Sequence, residues 1–209
     1  HMMAVWWQAL VLLCCALNCV VPTTPPQALL KNKCNNSFRL ARSTRTHVQQ
    51  LQRKYKEQQL GNKDFEDRSR QLKDLPLLST DFYSWLSLTD WERLHAAFWD
   101  IQTYRDMLEW KRQQLEEEQK KQMGGHAALN TLPRSIKHIQ LDLRDLMNQI
   151  SSQPTIPPVN VPPNRKTSSK ILWDSRVEGY IILRDLDFYL IKLARDFLLL
   201  ASKTWTTQQ

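Results

Sequence analysis

The side chains with catalytic chemistry in this chain are histidines and carboxylates, and their spacing does not suit catalysis or metal binding. No H-E-x-x-H pair, G-x-S-x-G turn or phosphate-binding loop occurs. The acidic run Glu116-Glu117-Glu118 is typical of a solvated helix face. We therefore predict that the protein is not an enzyme and uses neither a metal ion nor a cofactor. The five histidines are His1, His47, His95, His126 and His138.

The cysteines point to a fold that is held together without a disulfide. Cys14, Cys15 and Cys19 lie in an apolar stretch that we expect to be removed, which leaves Cys34 alone. No C-x-x-C motif or paired Cys/His spacing occurs, so the sequence does not predict a structural zinc site. Cys34 could pair between chains or stay a free thiol, and we expect the free thiol. The tripeptide that follows it is an N-glycosylation sequon on Asn35.

The first residues are expected to be absent from the mature protein. His1-Met2 before Met3 has the form of a cloning remnant, and 5–21 is almost wholly apolar, with no charge before Lys31. This pattern fits a secretory signal peptide cleaved within 16–26, although the usual basic start is missing. An uncleaved membrane anchor is the alternative. We predict a remnant plus signal peptide over 1–26 and one secreted, extracellular domain over 27–209, with no membrane contact after cleavage.

The chain is basic, with 29 Lys and Arg against 21 Asp and Glu and a net charge of +8. Nucleic-acid binding is one explanation, but no recognition motif occurs and the later helices carry mixed charge. A contact with an acidic receptor surface or with sulfated glycans is the second explanation, and an ordinary solvated face is the third. We predict that nucleic acid is not a partner.

Four long helices are predicted from apolar residues that recur at steps of three and four. Four glycines in the whole chain are too few for a strand-and-turn protein. Thr89 and Glu92 have capping-box spacing, and Gly61 follows the first helix as a terminating glycine should. Pro133 stands either at the first position of the third helix or in a kinked first turn. The predicted helices cover about 37–60, 89–121, 127–150 and 170–203.

The lengths of the connections predict the topology. About five residues join the second and third helices, so these two must be antiparallel neighbours. About 28 residues form the first connection and about 19 the last, and the last one is rich in proline and extended. Both long connections can span a helix of ~36 Å. We predict an all-α fold, a long-chain four-helix bundle in the up-up-down-down arrangement with two long crossover loops.

Two segments carry a resemblance to a known family. They are SKILWDSRVEGYIILRDLDFYLIKLARDFLLLASK at 169–203 and STDFYSWLSLTDWERLHAAFWDIQTYRDML at 79–108. They resemble the interleukin-6 family of long-chain helical cytokines, and within it the ciliary neurotrophic factor, leukaemia inhibitory factor, oncostatin M and cardiotrophin-like group. The resemblance implies a secreted cytokine that bridges receptor chains of the glycoprotein 130 and leukaemia inhibitory factor receptor type. Its output would be Janus kinase and STAT signalling.

The resemblance also implies two receptor sites on the fourth helix. An aromatic-x-x-cation pair that contacts the leukaemia inhibitory factor receptor falls on Trp173 and Arg176, where the group has Phe and Lys. This change leaves open which receptor chain is bound, and packing of Trp173 under the preceding connection is the alternative. A basic-x-x-x-acidic pair used for a non-signalling alpha receptor matches Lys192 and Asp196. Those two residues could equally form a plain surface ion pair.

The first and third helices would, by the same resemblance, meet glycoprotein 130. The exposed candidates for this contact are Arg42, Arg45, Arg53, Lys137 and Arg144.

Two other classes of protein stay open. The first is a secreted hormone of the leptin or growth hormone type, which usually has a C-terminal disulfide, but no cysteine follows Cys34 here. The second is a basic intracellular helical protein that binds nucleic acid.

Overall fold

The computed structural model describes residues 26–78, 81–122, 131–152 and 172–206, together with Val5 and Gln8. Within these ranges the chain is helical and has no β-strand, so the all-α prediction is confirmed. We number the helices α1 (Pro26–Tyr55), α2 (Phe82–Ser87), α3 (Asp90–Lys121), α4 (Leu132–Ser151) and α5 (Leu172–Thr206). A π-helical turn, Lys56–Leu60, extends α1. The signal-peptide cleavage range, except for Pro26, lies outside the described residues. So do Gly124 and Gly125, which are predicted to end the second long helix, and all but the first residues of the proline-rich connection.

Contacts between side chains fix the directions of the four long helices. Near the end of α1, the Tyr55 hydroxyl donates to the carbonyl of Arg176 near the start of α5 at 2.7 Å. Because Arg45 then pairs with Asp187 further along α5, α1 and α5 are antiparallel. The same relation holds between α3 and α5, and between α1 and α4, so the up-up-down-down arrangement is confirmed. The pairs are Asp90–Lys203, Asp100–Tyr189, Ser37–Gln149 and Lys54–Thr131.

The core consists of the buried stripes of the four long helices. On α1 the stripe steps by three or four residues, as the apolar periodicity predicts, and includes Val48, Leu51 and Tyr55. The helix α5 contributes the most buried side chains to this core, and it packs against both α1 and α3. Each fully buried Leu or Ile contributes roughly 1.5–3 kcal/mol relative to an exposed side chain. Among the described helices, none combines the length and the apolar character that crossing a membrane requires.

The first helix begins earlier than the sequence indicates. Its start lies at Pro26 and not near residue 37, and within the added turns Cys34 continues the buried stripe toward Ser37, both being almost inaccessible. Tertiary packing therefore overrides the local capping signal of Asn36 and Ser37. At the other end, Gly61 has φ = 65°, the left-handed conformation expected of a glycine that follows a helix.

The ends of α3 and α4 follow the sequence signals. The capping box forms, because the Glu92 N–H donates to Thr89 Oγ1 at 3.2 Å and the Thr89 N–H donates to Glu92 Oε2 at 2.8 Å. Pro133 is the second residue of α4 and lies in its first turn. The six-residue helix α2 was not among the predicted elements; it lies inside the connection between α1 and α3.

Candidate functional site

Trp173 stands at the start of α5 and leaves about half of its surface open. Its exposed fraction is 49 %. One edge of the indole meets the ring of Phe65, with the ring centroids 6.1 Å apart and the planes at 83°. Phe65 in turn packs edge-on against Tyr180, at 5.1 Å. The indole is therefore held on one side by Phe65, which Tyr180 supports, and is open on the other side.

The segment that carries Phe65 is fastened to α5 by Arg184. Its guanidinium donates to the carbonyl of Asp67 at 2.6 Å and to the carbonyl of Arg70 at 2.7 Å. The N–H groups of Arg70 and Ser69 donate to the Asp67 carboxylate and hold its pKa below the usual range. These bonds stiffen the loop. The result is an open groove of about 550 Å³ between the loop and α5, lined by 65–70, Trp173 and Val177.

Arg176 faces different neighbours from Trp173, although the two are three residues apart. One of its terminal N–H groups donates a long hydrogen bond, of 3.4 Å, to the carbonyl of Gln59. Arg176 also lines a second cleft, of about 380 Å³, formed with Leu172 and the C-terminal part of α3. The structure therefore does not bring Trp173 and Arg176 into one groove. Their shared spacing predicted one surface, but the loop covers one side of α5 and α3 covers the other.

A buried polar cluster lies beneath Arg176, where α1, α3 and α5 meet. Lys111 is almost inaccessible, and its ammonium donates to the Ser175 carbonyl at 2.8 Å and to the Gln114 amide oxygen at 2.9 Å. Burial lowers the pKa of Lys111 to about 8, although carboxylates on α3 and α5 partly offset the effect. At Gly179 a Cβ would lie 2.6 Å from Cε of Lys111 and closer still to the Tyr55 hydroxyl. The cluster therefore requires glycine at this position.

The second predicted pair forms, but not on the surface. Lys192 Nζ lies 2.9 Å from Asp196 Oδ2, as the spacing of four residues predicts. Asp196, however, is only 1 % exposed. The role of Lys192 and Asp196 in binding an alpha receptor stays a prediction, whereas the alternative of a plain surface ion pair does not hold, because Asp196 is buried. The reason is that the residues before α3 cover this part of α5.

Asp196 fixes α2 against α5. Its Oδ1 atom accepts a hydrogen bond from the Trp85 indole N–H at 2.5 Å, and a terminal nitrogen of Arg93 lies 3.4 Å away. Arg93 is fully buried and also donates to the carbonyls of Trp85 at 2.9 Å and Leu88 at 3.2 Å. Its guanidinium lies 4.9 Å from the centre of the Trp85 ring. Sequence reasoning missed Trp85 and Arg93, and the only signal for them was their place in the 79–108 segment.

The helix that Asp196 holds in place presents apolar side chains to solvent. We call Phe82, Tyr83 and Leu86 the α2 patch, and all three are exposed. Phe82 contacts the rings of Tyr83 and Trp85, with centroids 5.7 and 5.8 Å apart. A cluster of exposed aromatic and aliphatic side chains on a firmly held element is typical of a protein–protein contact.

The predicted glycosylation site, Asn35, and the predicted free thiol, Cys34, both lie in α1. Asn35 lies within α1 and is half-buried, and the Ser37 hydroxyl of its sequon is buried and donates to Gln149 Oε1 at 2.6 Å. Cys34 is a buried free thiol. Burial and the nearby carboxylate of Asp90 raise the pKa of Cys34 to about 11. In the parts of the chain that the structure describes, no cluster of three His, Cys, Asp or Glu side chains could hold a metal ion.

The five residues of α1 and α4 that are predicted to contact glycoprotein 130 differ in whether a carboxylate already lies beside them. Arg45 is engaged by Asp187 at 2.8 Å, and Arg144 lies 3.4 Å from Asp145. The remaining three, Arg42, Arg53 and Lys137, are exposed.

One comparison with known proteins gave a match. The sequence model of a family described as ciliary neurotrophic factor matches residues 20–208. The match therefore spans all five helices, the groove at Trp173 and the α2 patch. No curated protein matches the chain.

Proposed function

Since the chain belongs to the ciliary neurotrophic factor family of interleukin-6 type helical cytokines, we propose that it is a secreted ligand that brings two signalling receptor chains together. Cytokines of this family are generally secreted, bind cytokine receptors and are not enzymes. One bundle that carries separate receptor sites would hold two receptors side by side and so bring their cytoplasmic kinases close. The receptors would be of the glycoprotein 130 and leukaemia inhibitory factor receptor type, and the output Janus kinase and STAT signalling.

The observation that carries this proposal is the anchored, half-open indole of Trp173. An aromatic side chain already held in place loses little conformational entropy on binding, which is what binding hot spots exploit. Phe65 fixes its inner edge, and Arg184 fixes the loop that bears Phe65. The groove beside it could receive a complementary side chain from the receptor. We assign one signalling receptor to this site, with Arg176 acting through its bond to Gln59 as a positioning residue.

A second site is proposed at the α2 patch, for an alpha receptor. The exposed rings of Phe82 and Tyr83 would make the contact, while Lys192 and Asp196 hold the patch in place from below. The proposed site therefore stays in the region of α5 that the resemblance implies. The receptor contact, however, is made by α2 and not by the Lys192–Asp196 ion pair beneath it. Signal-peptide removal within 16–26 and a glycan on Asn35 remain predictions from the sequence.

The experiment is binding of the purified protein to immobilised ectodomains of glycoprotein 130, the leukaemia inhibitory factor receptor and the alpha receptor. Trp173→Ala should weaken binding to one signalling receptor by about 2 kcal/mol, roughly 30-fold, and leave the others unchanged. Tyr83→Ala should weaken binding to the alpha receptor alone. Trp91→Ala removes an indole of similar exposure on α3 and is the matched control.

The outcomes separate the parts of the proposal. Loss of one receptor with Trp173→Ala, at unchanged circular dichroism, supports the site and identifies its receptor. If Trp91→Ala has the same effect as Trp173→Ala, the site is wrong even though the cytokine assignment stands. If the wild-type protein binds none of the three receptors, the proposed receptor pairing is wrong.

A further inference from the structure

The helix α1 has an unusual charge composition. Its 30 residues include seven Lys and Arg but no Asp or Glu, whereas α3 contains eight acidic residues in 32. A solvated helix face ordinarily carries both signs, because pairs of opposite charge at i, i+4 stabilise it. The absence of acidic residues from α1 therefore calls for an explanation other than helix stability.

The cations and polar groups of α1 form one continuous exposed stripe. Arg39, Arg42, Thr46, Gln50 and Arg53 follow steps of three and four residues, and all five are exposed. The stripe is ~21 Å long at ~1.5 Å per residue. In the described part of the chain, none of its three arginines forms an ion pair with a carboxylate, and Arg42 lies over the ring of Phe38. The stripe therefore presents guanidinium groups that are free to bind an anion.

A groove between α1 and α4 adjoins this stripe. It has a volume of about 350 Å³ and its polar lining includes His47, Gln50, Lys54 and His138. Its one carboxylate, Asp142, lies 2.9 Å from His47 Nδ1, and the positive charge of Lys54 in the same groove balances it. The groove therefore extends the stripe with further nitrogen donors and adds no net negative charge.

We propose that this surface, the α1 stripe with its adjoining groove, binds a sulfated glycosaminoglycan chain. Guanidinium groups match the planar, bidentate recognition of oxyanions such as sulfate. Thr46 and Gln50 stand between the arginines and can hydrogen-bond to sugar hydroxyl groups. A linear polyanion would lie along the stripe and contact each arginine in turn, so the charge complementarity extends over the length of the helix.

The composition of the surface favours a glycan over the other common polyanions. Single-stranded nucleic acid is bound on exposed aromatic rings, and the stripe offers none, because its nearest ring, Phe38, is partly buried under Arg42. An anionic membrane surface is bound by a helix that also inserts apolar side chains. The stripe has no exposed apolar residue between Arg39 and Arg53.

The test is binding of the purified protein to immobilised heparin, measured across a range of salt concentrations. The triple variant R39Q/R42Q/R53Q removes three charges from the stripe. K63Q/K73Q/K120Q removes three exposed charges elsewhere and is the control. At 0.15 M salt the stripe variant should bind about tenfold more weakly, with a shallower salt dependence, and the control should change less than about twofold. Desulfated heparin should bind poorly.

Four outcomes would overturn the inference. These are absence of heparin binding, equal losses in the two triple variants, equal binding to desulfated heparin, and displacement of heparin by duplex or single-stranded DNA at equal charge. The first three rule out a localised sulfate site, and the last replaces the glycan with nucleic acid. Because all six substituted residues are exposed, unchanged thermal unfolding is expected and is measured first. No receptor takes part in the assay, so the result is independent of the proposed receptor pairing.

Discussion

Replacing Asp196 tests whether a buried carboxylate holds α2 in place. In Asp196→Ala, the Trp85 indole loses its acceptor and Arg93 and Lys192 lose their counter-charge. Arg93 has no exposed surface, so water cannot replace the lost partner without a rearrangement. Asp196→Asn keeps an acceptor oxygen for Trp85 but removes the charge, so it separates the hydrogen bond from the ion pairs.

The expected loss is large because one partner of a buried ion pair is removed. Such deletions cost about 3–5 kcal/mol, which corresponds to a fall in Tm of about 10 °C for a chain of this size. We expect Asp196→Asn to lose roughly half as much, because the charge-neutral amide still accepts from Trp85. Asp187→Ala is the control, since its partner Arg45 has a side chain that is 38 % exposed and the pair should contribute less than about 1 kcal/mol.

Urea unfolding followed by circular dichroism gives the free energies, and hydrogen exchange gives the location. Amide exchange over 81–88 should accelerate in Asp196→Ala and stay unchanged in Asp187→Ala. Alpha-receptor binding should fall with the same variant, although Asp196 touches no receptor in the proposal. The reasoning is refuted if Asp196→Ala costs no more than Asp187→Ala, because the carboxylate would then be solvated and free.

Three further predictions follow from buried groups. Gly179→Ala should lose about 1–3 kcal/mol in urea unfolding, because its Cβ would push on Tyr55 and Lys111; an unchanged midpoint would show that the cluster yields. In a chain that begins after Cys19, Cys34 should not react with Ellman's reagent at pH 8 until the protein unfolds, because the thiol is buried and its pKa is about 11; equal native and unfolded rates would contradict this. The pKa of Lys111 is about 8 in the folded protein and 10.5 in the unfolded chain, so the unfolded chain binds more protons above pH 8. The free energy of unfolding, compared with that of Lys111→Met, should therefore rise by about 1 kcal/mol from pH 7 to pH 9; a difference that does not change with pH would show that Lys111 is solvated.

The parts of the fold that could be predicted are those set by local periodicity and by chain length. The start of α3 follows from Thr89 and Glu92, which bond to each other within four residues. The parallel and antiparallel relations follow from the lengths of the connections, because a short link forces neighbouring helices to reverse. Prediction failed at the start of α1, where a local capping signal at Asn36 and Ser37 competes with burial of Cys34 and Ser37 against the other helices.

The candidate site could be predicted only where its residues are neighbours along the chain. Lys192 and Asp196 were paired correctly from their spacing of four residues. Burial of that pair could not be predicted, because the groups that cover it, Trp85 and Arg93, lie 111 and 103 positions away from Asp196. The division of Trp173 from Arg176 likewise depends on Phe65, which reaches α5 only through the folded loop.

Both proposed receptor sites are held in place in the same way, by a charged side chain of α5. A charged side chain of α5 fastens each end of the connection between α1 and α3: Arg184 holds the loop at Asp67 and Arg70, and Asp196 holds α2 through Trp85. In each case the anchoring residue is buried or nearly so, and the side chains it positions, Trp173 with Phe65 or the α2 patch, reach solvent. Loss of an anchor should therefore lower both stability and receptor binding, whereas loss of an exposed ring should lower binding alone. Stability has to be measured beside binding before any residue of α5 is assigned as a receptor contact.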